Sequence, residues 1–149
     1  MDAKLMPTGE TLQFMQSVWD LMHALDVRSK RMVKAVGVTG PQRLVIRIIG
    51  QKPNQTASEI AETLGKHPST LTGVLARLQS RNLINRVADA EDRRRARFTL
   101  TAAGKKIDKL QKGTVEAATR RAISRTEDVG VNHTRTMLAV LTEELFRDE

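Results

Sequence analysis

Two short amphipathic segments joined by a glycine turn constrain this chain more than any other feature. They are TASEIAETLGKHPSTLTGVLARL, from Thr56 to Leu78. Thr56 and Glu59 stand at the spacing of a capping box, in which each residue's side chain bonds the other's backbone N–H. They predict a helix from there to Leu64, with Gly65 as its C-terminal stop. Pro68 suits the first turn of a second helix, running to about Arg81 and burying Leu71, Val74, Leu75 and Leu78. Two helices so close in sequence must turn sharply against each other, as in a helix-turn-helix.

The flanking segments extend that unit. Leu83–Ala88 and Arg95–Leu100 alternate as strands around the charged turn DAEDRR, which predicts a β-hairpin directly after the second helix. Upstream, Leu12, Met15, Val18, Trp19, Met22 and Leu25 recur at helical spacing within a long helix from about Thr11 to Val36. VGVTGP breaks it, and a shorter helix follows from Pro41 to Gly50 with Leu44, Val45, Ile48 and Ile49 as its apolar face. QKPNQ then reads as a loop. Thr101 is a plausible cap for one long helix to about Arg125. A last helix starts near Asn132 and carries Met137, Leu138, Leu141 and Leu145. With one tryptophan, three phenylalanines and no tyrosine, the core must be aliphatic. The fold class is mainly α, an α+β winged-helix lobe with long outer helices.

Charge narrows the function. The formal net charge is +8 over 149 residues. Between Lys66 and Arg97, eight basic residues face three acidic ones, so about +5 of it falls on the hairpin and the helix before it. Such a concentration favours a polyanion, nucleic acid before membrane. No run of about 18 apolar residues suggests a membrane span, and no targeting segment is evident. The absence of cysteine excludes disulfides, thiol catalysis, thiol redox sensing and cysteine-based zinc sites, and fits a cytoplasmic protein. His23, His67 and His133 have no metal-ligand spacing, and no phosphate loop or nucleophile motif is present. Neither an enzyme nor a cofactor is expected.

On a helical wheel Ser69, Thr70, Thr72, Gly73 and Arg77 lie away from the apolar face of the second helix. Such small and hydrogen-bonding side chains suit entry into a DNA major groove. Arg95 and Arg97 alternate with Ala96 and Phe98, so they are expected on the solvent face of their strand, meeting phosphates. Asp89 or Asp92 is expected to pair with a neighbouring arginine and stiffen the turn.

Several phrases resemble the MarR family of transcriptional regulators: GPQRLVIRII (Gly40 to Ile49), the helix-turn-helix from Thr56 to Ile84, and DAEDRRRARFTLTAAG (Asp89 to Gly104), of the form D-x-x-D-R-R…LT-x-x-G. Where the family usually has glycine before the Leu-Ile that opens the hairpin, this chain has Asn82, which also tolerates positive φ. The resemblance implies one such domain over residues 1–149, with a winged helix-turn-helix lobe at 40–101 and dimerisation helices at 1–36 and 102–149. It implies a homodimer on a near-palindromic double-stranded operator, with Arg93 or Arg94 of the wing in the minor groove. It further implies a repressor answering to a small phenolic or carboxylate effector, whose cleft Trp19, Met22, His23, Arg43 and Arg47 would line. On periodicity alone, Trp19 and Met22 read as core. The alternatives are an architectural DNA binder without effector and a helical protein–protein adaptor.

Overall fold

The computed structural model of the protein describes residues 8–147, of Thr8 only the backbone; the ends of the expected outer segments, residues 1–7 and 148–149, lie outside this range. The chain forms two compact units that divide after Gln111. The first contains α1 (Thr8–Val36), α2 (Gly40–Gln51), β1 (Gln55–Thr56), α3 (Ala57–Leu64), α4 (Pro68–Ser80), β2 (Ile84–Ala88), β3 (Ala96–Leu100) and α5 (Ala102–Asp108). The second contains α6 (Val115–Ile123) and α7 (Asp128–Leu145). No helix among the described residues is long and apolar enough to cross a membrane.

Local chemistry sets the element boundaries. Glu59 N–H donates to Thr56 Oγ1 at 3.3 Å and Thr56 N–H to Glu59 Oε2 at 2.7 Å, which closes the capping box at α3. A second box, absent from the sequence reading, joins Thr39 and Gln42 at α2. Gly65 ends α3 in the left-handed region at φ 62°. Asn82 adopts the same region at φ 56°. Its N–H donates to Gln79 O and that of Leu83 to Leu78 O, so α4 ends and the chain turns into β2.

The sheet has the order β1-β3-β2 and is antiparallel throughout. Arg86 lies opposite Phe98 and Ala88 opposite Ala96, while Gln55 and Thr56 pair with Phe98 and Arg97. β1 is a departure from the expected loop: the chain entering α3 becomes a third strand. The core joins Val45, Ile46 and Ile49 of α2, Ile60 of α3, Leu71, Leu75 and Leu78 of α4, and Ile84, Phe98 and Leu100 of the sheet. Leu44, expected inside, is 51 % exposed, and Ile46 is buried instead.

The C-terminal helices also differ from expectation. The single helix expected from Thr101 to Arg125 stops at Asp108. Gly113 takes φ 76°, and Thr114 caps a new helix by accepting from the N–H of Ala117 at 3.2 Å. α5 packs on α2 and β3, so it belongs with the winged lobe rather than with a segment starting at 102. α7 starts at Asp128, before the expected Asn132, with Gly130 inside it.

Gly104 accounts for the close seating of α5. Thr101 caps the helix by accepting from Gly104 N–H at 3.0 Å, and Thr101 N–H donates to Leu83 O at 3.1 Å. A Cβ on Gly104 would stand 2.1 Å from that same carbonyl oxygen. Gly104→Ala is therefore expected to destabilise the lobe by about 1–3 kcal/mol through overpacking. The check is the urea midpoint, and an unchanged midpoint would refute the tight approach.

Candidate nucleic-acid interface

α4 is fixed by its buried side, where Leu71, Leu75 and Leu78 enter the core. Its opposite side leaves Ser69, Thr70, Thr72, Gly73 and Arg77 exposed. His67 caps the helix: its Nδ1 accepts from Ser69 N–H at 3.2 Å and lies 2.7 Å from Ser69 Oγ. A Cβ at Gly73 would meet nothing within 4 Å. Glycine inside a helix costs about 0.5–1 kcal/mol relative to alanine, and no contact within the chain calls for it here.

The turn between β2 and β3 is built around one buried carboxylate. Asp89 Oδ1 accepts from the N–H groups of Glu91 at 2.8 Å and Asp92 at 3.2 Å, and Oδ2 accepts from Arg97 Nε. Asp92 in turn accepts from the N–H of Arg94 at 3.0 Å and stands 3.9 Å from Arg95. Arg97 Nη1 donates to Asn54 O at 2.8 Å and lies 3.9 Å from Glu59. Arg97, expected to meet phosphates, also ties the wing to the α3 cap. Arg93, Arg94 and Arg95 are exposed at the tip.

Both anchoring carboxylates are acidified. The N–H groups of Glu91 and Asp92, then Arg97, hold Asp89 below the ordinary aspartate value. The N–H of Thr56, then its hydroxyl and Arg97, hold Glu59 below the usual glutamate value against the opposing effect of burial.

A groove of about 380 Å³ separates the outer side of α4 from the wing. Thr72, Ala76 and Gln79 form one wall, Arg86, Arg94 and Arg95 the other. Gln79 and Arg86 were not singled out by the sequence reading. The signal lay in register, since Arg86 is two residues from Ile84 and so shares its face of β2.

The residues expected to line an effector cleft are arranged differently. Arg43 is 2 % exposed and donates to the carbonyls of Ile107, Asp108 and Leu110 at the end of α5. Arg47 Nη1 pairs with Asp108 Oδ1 at 2.8 Å. Trp19 and Met22, read as core on periodicity, are 66 % and 60 % exposed on α1, and His23 is exposed beside them. Among the described residues no cluster of histidine, aspartate or glutamate has the arrangement of a metal site.

Residues 38–96, which contain α4 and most of the wing, match the model of the MarR family. The match takes in the helix-turn-helix and the wing as far as Ala96. Curated relatives agree: the chain is 40 % identical over 70 residues to the transcriptional regulator HosA of Escherichia coli O157:H7, covering 47 % of this chain and 52 % of HosA. It is 29 % identical over 90 residues to an HTH-type transcriptional repressor of Mycobacterium tuberculosis, covering 60 % and 65 %. The match to HosA thus spans about half of that relative's length. The likeness of fold extends over nearly the whole chain. A structure of the S. aureus MepR–DNA complex superposes with a TM-score of 0.67, at 20 % identity, over 94 % of this chain and 99 % of MepR.

The acid response of the wing follows from Asp89. Because its folded-state value lies below the ordinary one, the stabilisation is complete above about pH 4 and is lost as pH falls through the folded-state value. Asp89→Asn is expected to be less stable than the parent near neutrality and to converge with it in acid. Urea midpoints across pH 2–7 (roughly the span of carboxylate titration) test this, and a constant gap would exclude Asp89 as the titrating group.

Proposed function

We propose that this protein is a cytoplasmic, sequence-specific DNA-binding transcriptional regulator that acts as a homodimeric, ligand-responsive repressor. The observation that carries the reading is the pairing of two exposed surfaces on one rigid lobe. One is the small, hydrogen-bonding side of α4; the other is a wing tip with Arg93, Arg94 and Arg95 exposed. α4 enters the major groove, where Ser69, Thr70, Thr72 and Arg77 meet base edges and phosphates. The wing reaches the adjacent minor groove with Arg93 or Arg94, drawn by its negative potential. The family match over residues 38–96, the names of the relatives and the DNA-bound MepR support this reading.

The dimer accounts for apolar side chains left in water. On α1, Leu12, Met15, Trp19, Met22 and Leu25 are exposed, and on α7, Met137, Leu138 and Leu145. Apolar rows of this extent mark interaction surfaces, and a two-fold pair presents two recognition helices to a near-palindrome. Sedimentation equilibrium is expected to give twice the 16.6 kDa chain mass, with Trp19→Glu shifting it toward the monomer. A monomeric parent protein would refute this part. The effector is a small phenolic or carboxylate ligand that competes with Asp108 for Arg47, whose side chain is 37 % exposed. If millimolar aromatic carboxylates leave the protein on its DNA, this part fails.

Fluorescence anisotropy of DNA from upstream of the gene, against a scrambled duplex, tests the central reading. A preference of about 10³-fold or more that survives moderate salt is expected. Equal binding to both, lost with salt, would favour an architectural binder, and no binding an adaptor. Gly73→Ala is expected to raise stability by about 0.5–1 kcal/mol yet weaken binding to the preferred DNA, because its methyl faces the groove edge. Unchanged affinity would remove Gly73 from the interface.

A further inference from the structure

Ile84, Arg86 and Ala88 share one face of β2 and lie opposite Leu100, Phe98 and Ala96 of β3. Ile84, Phe98 and Leu100 on that face are buried in the core. Arg86 therefore stands on the core side of the sheet, yet it is exposed, at the level where the helical layer gives way to the groove beside α4. Its neighbour on the outer face, Val87, is an apolar side chain 57 % exposed. The ordinary alternation of apolar inside and polar outside is thus reversed at this pair.

No contact among the described residues explains the reversal. Arg97 on β3 is held by Asp89, Asn54 and Glu59. No hydrogen bond or ion pair engages the Arg86 guanidinium among the described residues. The groove is lined by Arg86, Arg94 and Arg95 and by no carboxylate, while Ser58, Thr72 and Gln79 supply neutral donors. A concave surface of one sign focuses its field on an anion. A groove open to solvent and flanked by the helix and the wing can take a strand of linked phosphates.

We propose that this groove seats the sugar–phosphate strand that separates the major groove read by α4 from the minor groove reached by the wing, with Arg86 as a cation in its wing-side wall. This rests on the DNA-binding reading above. Arg86 sets the distance between helix and wing contacts by holding a phosphate between them. It carries affinity and register, and no base preference.

The test uses the full-length protein and a mixed-sequence duplex of about 30 base pairs, long enough for two half-sites. Each phosphate contact contributes about 0.9 to the slope of log affinity against log salt. Arg86→Gln is expected to flatten that slope by about 0.9 per bound chain and to weaken low-salt binding roughly tenfold. Arg86→Lys should restore most of the slope. Arg31→Gln, an exposed α1 site with the same loss of charge, should leave it unchanged. An unchanged slope in Arg86→Gln, or an equal loss in Arg31→Gln, would overturn the assignment while leaving DNA binding intact. A loss confined to upstream DNA and absent on the scrambled duplex would make Arg86 a base reader and also overturn it. Failure of the parent protein to bind either duplex at low salt would instead overturn the DNA-binding reading, and Arg86's role with it.

Discussion

A carboxylate removed from water needs partners for its charge, and Asp89 has three donors that meet this need. Two come from backbone N–H groups of the turn, and the guanidinium of Arg97 crosses from β3. Arg97 then reaches Asn54 and Glu59 at the entry to α3. One ion pair thereby joins the turn, the third strand and the α3 cap into a continuous network. The strands are held by the core and by β1, and this network fixes the turn that carries the arginines at the tip. With it they sit at a defined distance from the exposed side of α4.

The same economy of contacts positions α4. Three leucines hold one side of the helix in the core, and its other side carries small and polar residues in solvent. Asn82 ends the helix in a left-handed turn, and Gly104 lets α5 press against the carbonyl of Leu83 just beyond it. Arg43 donates to the carbonyls of Ile107, Asp108 and Leu110 at the end of α5, where the helix's own N–H groups run out. The outer side of α4 is consequently anchored through the core behind it and stays exposed to solvent.

Much of this lobe was legible from sequence because its signals are short-ranged. Thr56 and Glu59 are three residues apart, Gly65 and Asn82 answer to their own φ, and the leucines of α4 repeat within one helix. The outer helices were less legible. α5 and α6 share a good helical pattern, and only Gly113 with the Thr114 cap divides them. Periodicity also could not say whether Trp19 and Met22 face a core or solvent, because an amphipathic stripe reads alike in both cases.

The arginines mark the boundary between the two kinds of information. By itself the sequence determined a basic winged lobe with an arginine-rich tip, since composition and spacing suffice for that. Only the tertiary structure decided which of those arginines are available. Arg43 finds acceptors 64 to 67 residues away, and Arg97 finds one 43 residues away at Asn54. Arg86, two residues from the buried Ile84, is turned by strand pairing into an open groove. Side-chain partners at such separations are set by how helices and strands pack, and no local pattern in the chain encodes them.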